Sequence, residues 1–473
     1  MLSRIVLKNI IYNSSSVLIQ SLIGLIVVIF LARTLKPELF GLYSLSLSLV
    51  SVLAIFADLG INSAGTRYIA DAVSKHDHSL AGGYFYFLIN FKLILTLLVT
   101  ILLFIFSETI SSAFEKPISL LLKILCIYLL FNSFTSLLLA VANAMNDFKA
   151  NLLINTLSSL SKLILTFLLV LLGLSVVGAT LAFSLSALIG FLFAVYYLLR
   201  KYGIIFAGKK KIEAKRVLKF VFYSAVISIT WVIFANVDMV MIGYFLSAED
   251  VAYYRAGFSI ISAITGFISI PGVLLPVFVR LEGEDLSRAF SRAFKYSSAL
   301  CIPSALGVML ISQNLILVAY GEDYLPGLRA MQILSILLIS PAFGIYGSIF
   351  SGKERPELNF YPLLFAMVLN VLLNYLMIPP LGIIGASSAT VISNALCWLI
   401  LALVCAKEFG IKPEVSNFAK ITFSAIVMFL IASNFNSMIL IVPVSILVYS
   451  VTLFLVRGIT KEDIEFIKRI VTD

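Results

Sequence analysis

Eight polar residues stand inside long apolar stretches, and each needs a chemical reason to be there: Arg67, Lys92, Lys162, Arg280, Asp238, Asn370, Asn374 and Thr390. Lys92 and Lys162 sit deepest, about 15–20 Å along their helices at 1.5 Å per residue. A cation at that depth either lines a cavity and attracts an anionic group or is neutralised by a carboxylate. For Lys92 the rival partner is Asp58, at similar depth. Arg67 and Arg280 fall near helix ends, where two facing guanidinium groups would clamp a doubly charged anion through paired N–H groups. The competing role is snorkelling to lipid phosphates. The other four bring oxygens. Asn370 and Asn374 share a helix face at i, i+4, and all four lie about 7–13 Å from one end of their apolar runs. Oxygen ligands converging at one depth suit a hard cation such as sodium, and a structural hydrogen-bond network would use the same groups.

Other chemistries fail on inspection. His76 and His78 flank Asp77 in a short polar loop that reads as solvated rather than metal-binding. Gly347 to Lys353 has the spacing G-x-x-x-x-G-K, but Glu354 follows where a phosphate-binding loop needs Ser or Thr for magnesium. Cys126, Cys301, Cys397 and Cys405 form no C-x-x-C pair and read as small packing residues. No loop is long enough to house a catalytic domain. ATP hydrolysis and glycosyl transfer are therefore not expected, nor is a resident cofactor, and the chain does not read as an enzyme.

The elements that carry these residues are membrane spans. The chain has 473 residues, 61% hydrophobic and 12% charged, with mean hydropathy +1.08, against roughly 25% charged in a soluble domain. Apolar runs of about 20 residues give fourteen spans near 10–32, 40–60 (continuing amphipathically to 70), 82–106, 118–144, 149–172, 176–199, 218–245, 251–280, 294–312, 327–351, 358–378, 382–405, 420–433 and 437–456. Pro271 and Pro276 should bend the eighth. With both termini cytoplasmic, 26 of the 34 Lys and Arg fall on the cytoplasmic side, 5 outside and 3 within spans. That is a strong positive-inside bias, so the net charge of +10 reflects orientation and contact with membrane lipids, not nucleic acid. Span 1, although preceded by Arg4 and Lys8, has no cleavage site after it and is expected to be retained.

The chain also repeats itself. Leu7-Lys8, Tyr12, Leu35, Glu38, Tyr43, Ser48 and Ser51 recur 211 residues on, and Val177-Gly178-Ala179 resembles Ile384-Gly385-Ala386 at 207. An offset of six spans preserves direction across the membrane, so the two-fold axis runs along the membrane normal. Arg67 and Arg280 are nearly equivalent under it. The expected architecture is all-α: a six-helix bundle over 1–200, a basic linker over 201–217, a second six-helix bundle over 218–406, and two further helices with a cytoplasmic tail over 407–473.

The stretch Leu31-Ala32-Arg33-Thr34-Leu35-Lys36-Pro37-Glu38-Leu39-Phe40-Gly41-Leu42-Tyr43 resembles the first-loop signature of polysaccharide flippases of the Wzx type, in the multidrug/oligosaccharidyl-lipid/polysaccharide (MOP) transporter superfamily. Asp58-Leu59-Gly60, Asn236 to Gly243, and Asn374 to Pro379 followed by Gly385-Ala386 agree with it. The resemblance covers essentially the whole chain. It implies a plasma-membrane transporter with a cavity between two bundles, moving an isoprenoid-(di)phosphate-linked oligosaccharide outward by alternating access. With such a cargo, Arg67 and Arg280 would clamp the diphosphate, and Lys92 and Lys162 would line the cavity and attract the anionic headgroup. Asp238, Asn370, Asn374 and Thr390 are similar in placement to the sodium site of MurJ-type lipid II flippases, with Asn374 where that family can have Asp. The expected partners are lipid-linked oligosaccharide and, downstream, a polysaccharide polymerase or glycosyltransferases, with the chain acting as a monomer. Rival functions are a cation- or proton-coupled drug or metabolite antiporter of the same superfamily, and a non-transporting partner of a polymerase. Cavity Lys and Arg favour an anionic cargo over a cationic drug.

Overall fold

The computed structural model describes residues 2–203, 208, 210–268, 278, 281–411, 415–435, 437–460 and 463. Regular structure among them is entirely helical: α1 Leu2–Asp58, α2 Ile61–Ser74, α3 His78–Ala113, α4 Ser119–Ala144, α5 Phe148–Leu169, α6 Ser175–Tyr202, α7 Ala214–Phe245, α8 Ala248–Ile268 and α9 Gly283–Ala319. A 3₁₀ turn Glu322–Gly327 leads into α10 Leu328–Leu334, then α11 Ser340–Gly352, α12 Glu357–Leu381, α13 Ile383–Phe409, α14 Val415–Ala432 and α15 Met438–Leu455. Arg280 lies outside the described residues, as do Pro271 and Pro276 and the bends expected of them.

Twelve described helical segments are long and apolar enough to cross a membrane. Two of them are double. Ile11–Asp58 has 48 residues, about 72 Å of helix against a hydrocarbon core of about 30 Å. It is interrupted at Lys36, with φ 60° and ψ 171°, where Pro37 removes an N–H and drives the preceding residue out of the α region. Phe148–Tyr202 has 55 residues and breaks at Gly173, with φ 88°, a left-handed conformation that glycine adopts without penalty. Each double segment is long enough for two crossings.

The helices form two compact units, one of residues 1–256 with 378–382, the other of 257–377 with 383–473. In the first, α1 packs on α3, α5 and α7, and α6 lies against α4 and α5. Gly190 of α6 lets the α5 backbone come close, since a Cβ there would sit 2.1 Å from Ser158 Oγ. Short α2 buries Ile61, Ala64, Gly65, Tyr68, Ile69 and Ala72, a one-sided stripe with helical spacing, and leaves Arg67 on the exposed face. In the second unit, long α9 packs on α10, α11, α14 and α15. Its Phe290 and Phe294 join Tyr346, Phe343 and Trp398, the last two stacked 5.1 Å apart at 9°.

Candidate functional site

A cavity of about 210 Å³ opens inside the first unit, walled by α1, α4, α5 and α6. Its lining includes Gln20, Asn132, Asn155, Ser158, Lys162 and Phe183. α5 supplies most of the polarity, because Asn151, Asn155, Ser158, Ser159 and Lys162 are spaced at i, i+4, i+7, i+8 and i+11 and so share one face. Ser16 of α1 fixes two of the amides. Gln20 Nε2 donates to its carbonyl oxygen at 3.1 Å and its hydroxyl at 3.2 Å, and Asn155 Nδ2 donates to the hydroxyl at 3.3 Å. Lys162 Nζ stands 5.3 Å from the centre of the Phe183 ring, a cation–π contact. Among the described residues it makes no ion pair.

Lys92 is placed differently. Its side chain is fully buried, and Nζ donates to Asp58 Oδ1 at 2.6 Å, Asn62 Oδ1 at 2.8 Å and Ser136 Oγ at 3.4 Å. All three ammonium hydrogens are used, and the charge is neutralised within the protein. The pair pins the break between α1 and α2. There Leu59 and Gly60 have φ of 43° and 80°, and Gly60 lies so close to α7 that a Cβ would stand 2.5 Å from Ser224 Cβ. Ser136 also lines the cavity, so one hydroxyl separates the Lys92 network from the space beside Lys162.

Arg67 is exposed, with its guanidinium 4.7 Å from the centre of the Phe220 ring. Asp238 is buried on α7 and accepts from Tyr254 Oη at 2.7 Å. In the second unit, Asn374 Nδ2 donates to Asn370 Oδ1 at 3.1 Å, and Asn370 Nδ2 donates to Thr390 Oγ1 at 3.4 Å. The Thr390 hydroxyl donates to Ala386 O at 2.9 Å. These three residues therefore lie together, with the oxygen donors a hard cation requires. Asn370 Oδ1 and Thr390 Oγ1 each accept one N–H, which leaves each oxygen one further lone pair. Among the described residues no group of three or more His, Cys, Asp or Glu could hold a metal ion. The second unit also has an apolar cavity of about 360 Å³, lined by residues including Ile264, Leu300, Pro303, Ile441 and Ile446.

Several structural anchors are not among the eight residues picked from sequence. Asp147 caps α5 and accepts from Lys201 Nζ at 2.6 Å, Tyr202 Oη at 3.0 Å and Tyr197 Oη at 3.1 Å. Burial alone would raise its pKa, but the hydrogen bonds from Lys201 and Tyr202 and the lysine charge prevail, and its carboxyl lies below the usual range. Lys116 closes the end of α7 by donating to Gly243 O at 2.6 Å and Leu246 O at 2.8 Å. Burial lowers the Lys116 pKa. Ser16, Gln20 and Asn155 carried a signal in sequence: Ser16 and Gln20, and Asn155 and Lys162 with Ser158, recur at helical spacing on otherwise apolar runs.

The family model described as polysaccharide biosynthesis protein matches residues 6–282. The chain is 24% identical over 421 residues to a Haloferax volcanii protein named a probable low-salt glycan biosynthesis flippase, covering 87% of this chain and 85% of that one. Its fold is that of the lipid II flippase MurJ, with a TM-score of 0.78 at 18% identity over 93% of this chain and 98% of the other. A multidrug resistance MATE family transporter of the MOP superfamily also aligns, with a TM-score of 0.67 at 20% identity over 83% and 94% of the two chains.

Proposed function

The chain belongs to the polysaccharide biosynthesis protein family, and from that premise we propose that it carries isoprenoid-(di)phosphate-linked oligosaccharide from the cytoplasmic to the outer leaflet by alternating access. It would act as a monomer in the plasma membrane, with both termini cytoplasmic, and deliver its cargo to the polymerase or glycosyltransferases that extend cell-surface glycans. The observation that carries this proposal is Lys162, an intramembrane cation in a polar cavity, with an aromatic face rather than a carboxylate beside it. A charge at that depth costs about 2.5–3.5 kcal/mol on insertion scales, and an anionic cargo offsets the cost. A cationic drug would meet repulsion there, which disfavours the antiporter alternative. The lipid half of the cargo also has a match, since an isoprenoid chain can cover the apolar cavity lined by Ile264, Leu300 and Ile441. Arg67 offers its guanidinium to a phosphate approaching from the cytoplasmic side.

Ion coupling belongs to the same proposal. Within the second unit Asn370, Asn374 and Thr390 supply two amide oxygens and a hydroxyl, donors suited to sodium, and the buried Asp238 carboxylate of the first unit is proposed as a separate contributor to coupling. A bound ion biases the carrier only through its differential affinity for two states. Asp238→Asn should therefore slow turnover while leaving cargo binding in place. The function itself is tested with the full chain in liposomes containing a lipid-linked oligosaccharide, scoring its arrival in the opposite leaflet. Protein-dependent delivery that falls at least ten-fold in Lys162→Met is expected. Delivery no faster than in protein-free vesicles would refute the proposal.

A further inference from the structure

We infer that the cavity around Lys162 is a subsite for one sugar unit bearing a carboxylate, a uronic acid of the glycan, rather than for the phosphate of the lipid carrier. The inference rests on the proposal that the chain carries glycan, and it adds which part of the glycan the cavity recognises.

Three observations separate sugar from phosphate. The first is the sign of the hydrogen-bonding groups. Gln20 and Asn155 both direct their amide nitrogens to Ser16, which leaves the amide oxygens as acceptors in the lining. The diphosphate diester of the lipid carrier also only accepts and would be repelled by those oxygens, whereas sugar hydroxyls donate to them. The second is charge. Lys162 is the single charged residue of the lining; Arg255 lies near enough to act on it electrostatically but outside the lining, so the cavity wall itself presents one point cation. A diphosphate would call for paired, fork-shaped donors, and one carboxylate calls for one ammonium. The third is depth. Lys162 stands about 20 Å along α5 from its start at Phe148, well away from the helix end where a headgroup phosphate waits.

Phe183 completes the arrangement. Its ring holds the Lys162 ammonium by a cation–π contact, which an arriving carboxylate can replace with a full ion pair. Asn132 and Ser159 remain as donors and acceptors for ring hydroxyls, and Ser158, whose hydroxyl donates to Ile154 O, as an acceptor. A neutral hexose would satisfy the amides and leave the lysine unanswered. The lipid-linked diphosphate would answer the lysine and oppose the amide oxygens.

The test uses free ligands on the purified full chain, so it does not depend on flipping. Thermal unfolding is followed with glucuronate, glucose and inorganic phosphate, for wild type, Lys162→Met and Asn155→Asp. Glucuronate should stabilise the wild type saturably, at concentrations at least ten-fold lower than glucose or phosphate. Lys162→Met should lose that preference while retaining the response to glucose. Should Lys162→Met fail to fold, Asn155→Asp decides, because a fixed carboxylate in the lining should abolish the glucuronate response. Equal stabilisation by phosphate, an unchanged preference in either variant, or no response to glucuronate would each overturn the inference. Glucuronate binding by a protein that flips nothing would refute the proposed function and leave this subsite standing. Flipping without glucuronate binding would do the reverse.

Discussion

At the scale of the residue, two lysines of similar depth have opposite circumstances. Lys92 is locked to Asp58, Asn62 and Ser136, whereas Lys162 faces a cavity. From sequence both read as cavity cations, with an Asp58 pair as the rival for Lys92 alone, because depth is read from spacing and partnership is not. The Asp58 rival for Lys92 was visible as a matching depth, and the contact follows from how α3 packs beside the α1–α2 break. Removing one member of a buried pair leaves an uncompensated charge. Lys92→Met should therefore destabilise the protein by about 3 kcal/mol, and Lys92→Met with Asp58→Asn should recover most of the loss, as measured by unfolding a double-mutant cycle in detergent. If the double variant is as unstable as the single, Asp58 is solvated well enough not to need Lys92. Lys162→Met should leave stability nearly unchanged, because no carboxylate is stranded by it.

At the scale of the element, hydropathy located the spans but not their joints. Spans 1 and 2 run on as one helix with a break at Lys36, and the ninth begins at Gly283 rather than near 294, because amphipathic turns beyond the apolar run stay helical. The Asp58-Leu59-Gly60 motif gains a physical account: a charge anchored by Lys92, then two left-handed residues that turn the chain into α2 beside α7. Gly60→Ala should cost about 2–4 kcal/mol, from left-handed strain and overpacking against Ser224 together. An unchanged melting temperature would mean that α7 gives way there. The Asp147 clasp joins the start of α5 to the end of α6 and makes a pH-dependent contribution. Its carboxyl is depressed in the folded protein, so the stabilisation is present above the unfolded value near 3.8 and is lost as pH falls through the lower folded one. Wild type should lose stability progressively below about pH 4 through this group, and Asp147→Asn should flatten that part of the profile while lowering stability at neutral pH by about 2 kcal/mol. Parallel profiles for the two proteins would rule the clasp out as the source.

At the scale of the whole molecule, the apolar runs and charge asymmetry of the sequence specified an all-helical membrane chain, and the structure shares the fold of the flippase and transporter structures it aligns with. The cavity was less legible, since it arises from four helices whose polar stripes meet only on packing. Cargo charge then sets the energetics. For the proposed cargo, a diphosphate-linked headgroup bearing about two negative charges would move outward down an inside-negative potential, gaining roughly 4–5 kcal/mol per 100 mV at about 2.3 kcal/mol per charge. The most direct measurement is delivery of lipid-linked oligosaccharide across liposomes holding the full chain at a clamped potential, with the sign of the clamp reversed between samples. Net outward movement accelerated by an inside-negative potential and opposed by its reversal is the expected result. Delivery indifferent to the sign of the potential, or a carrier that moves organic cations while leaving the glycan lipid in place, would contradict an anion-carrying flippase.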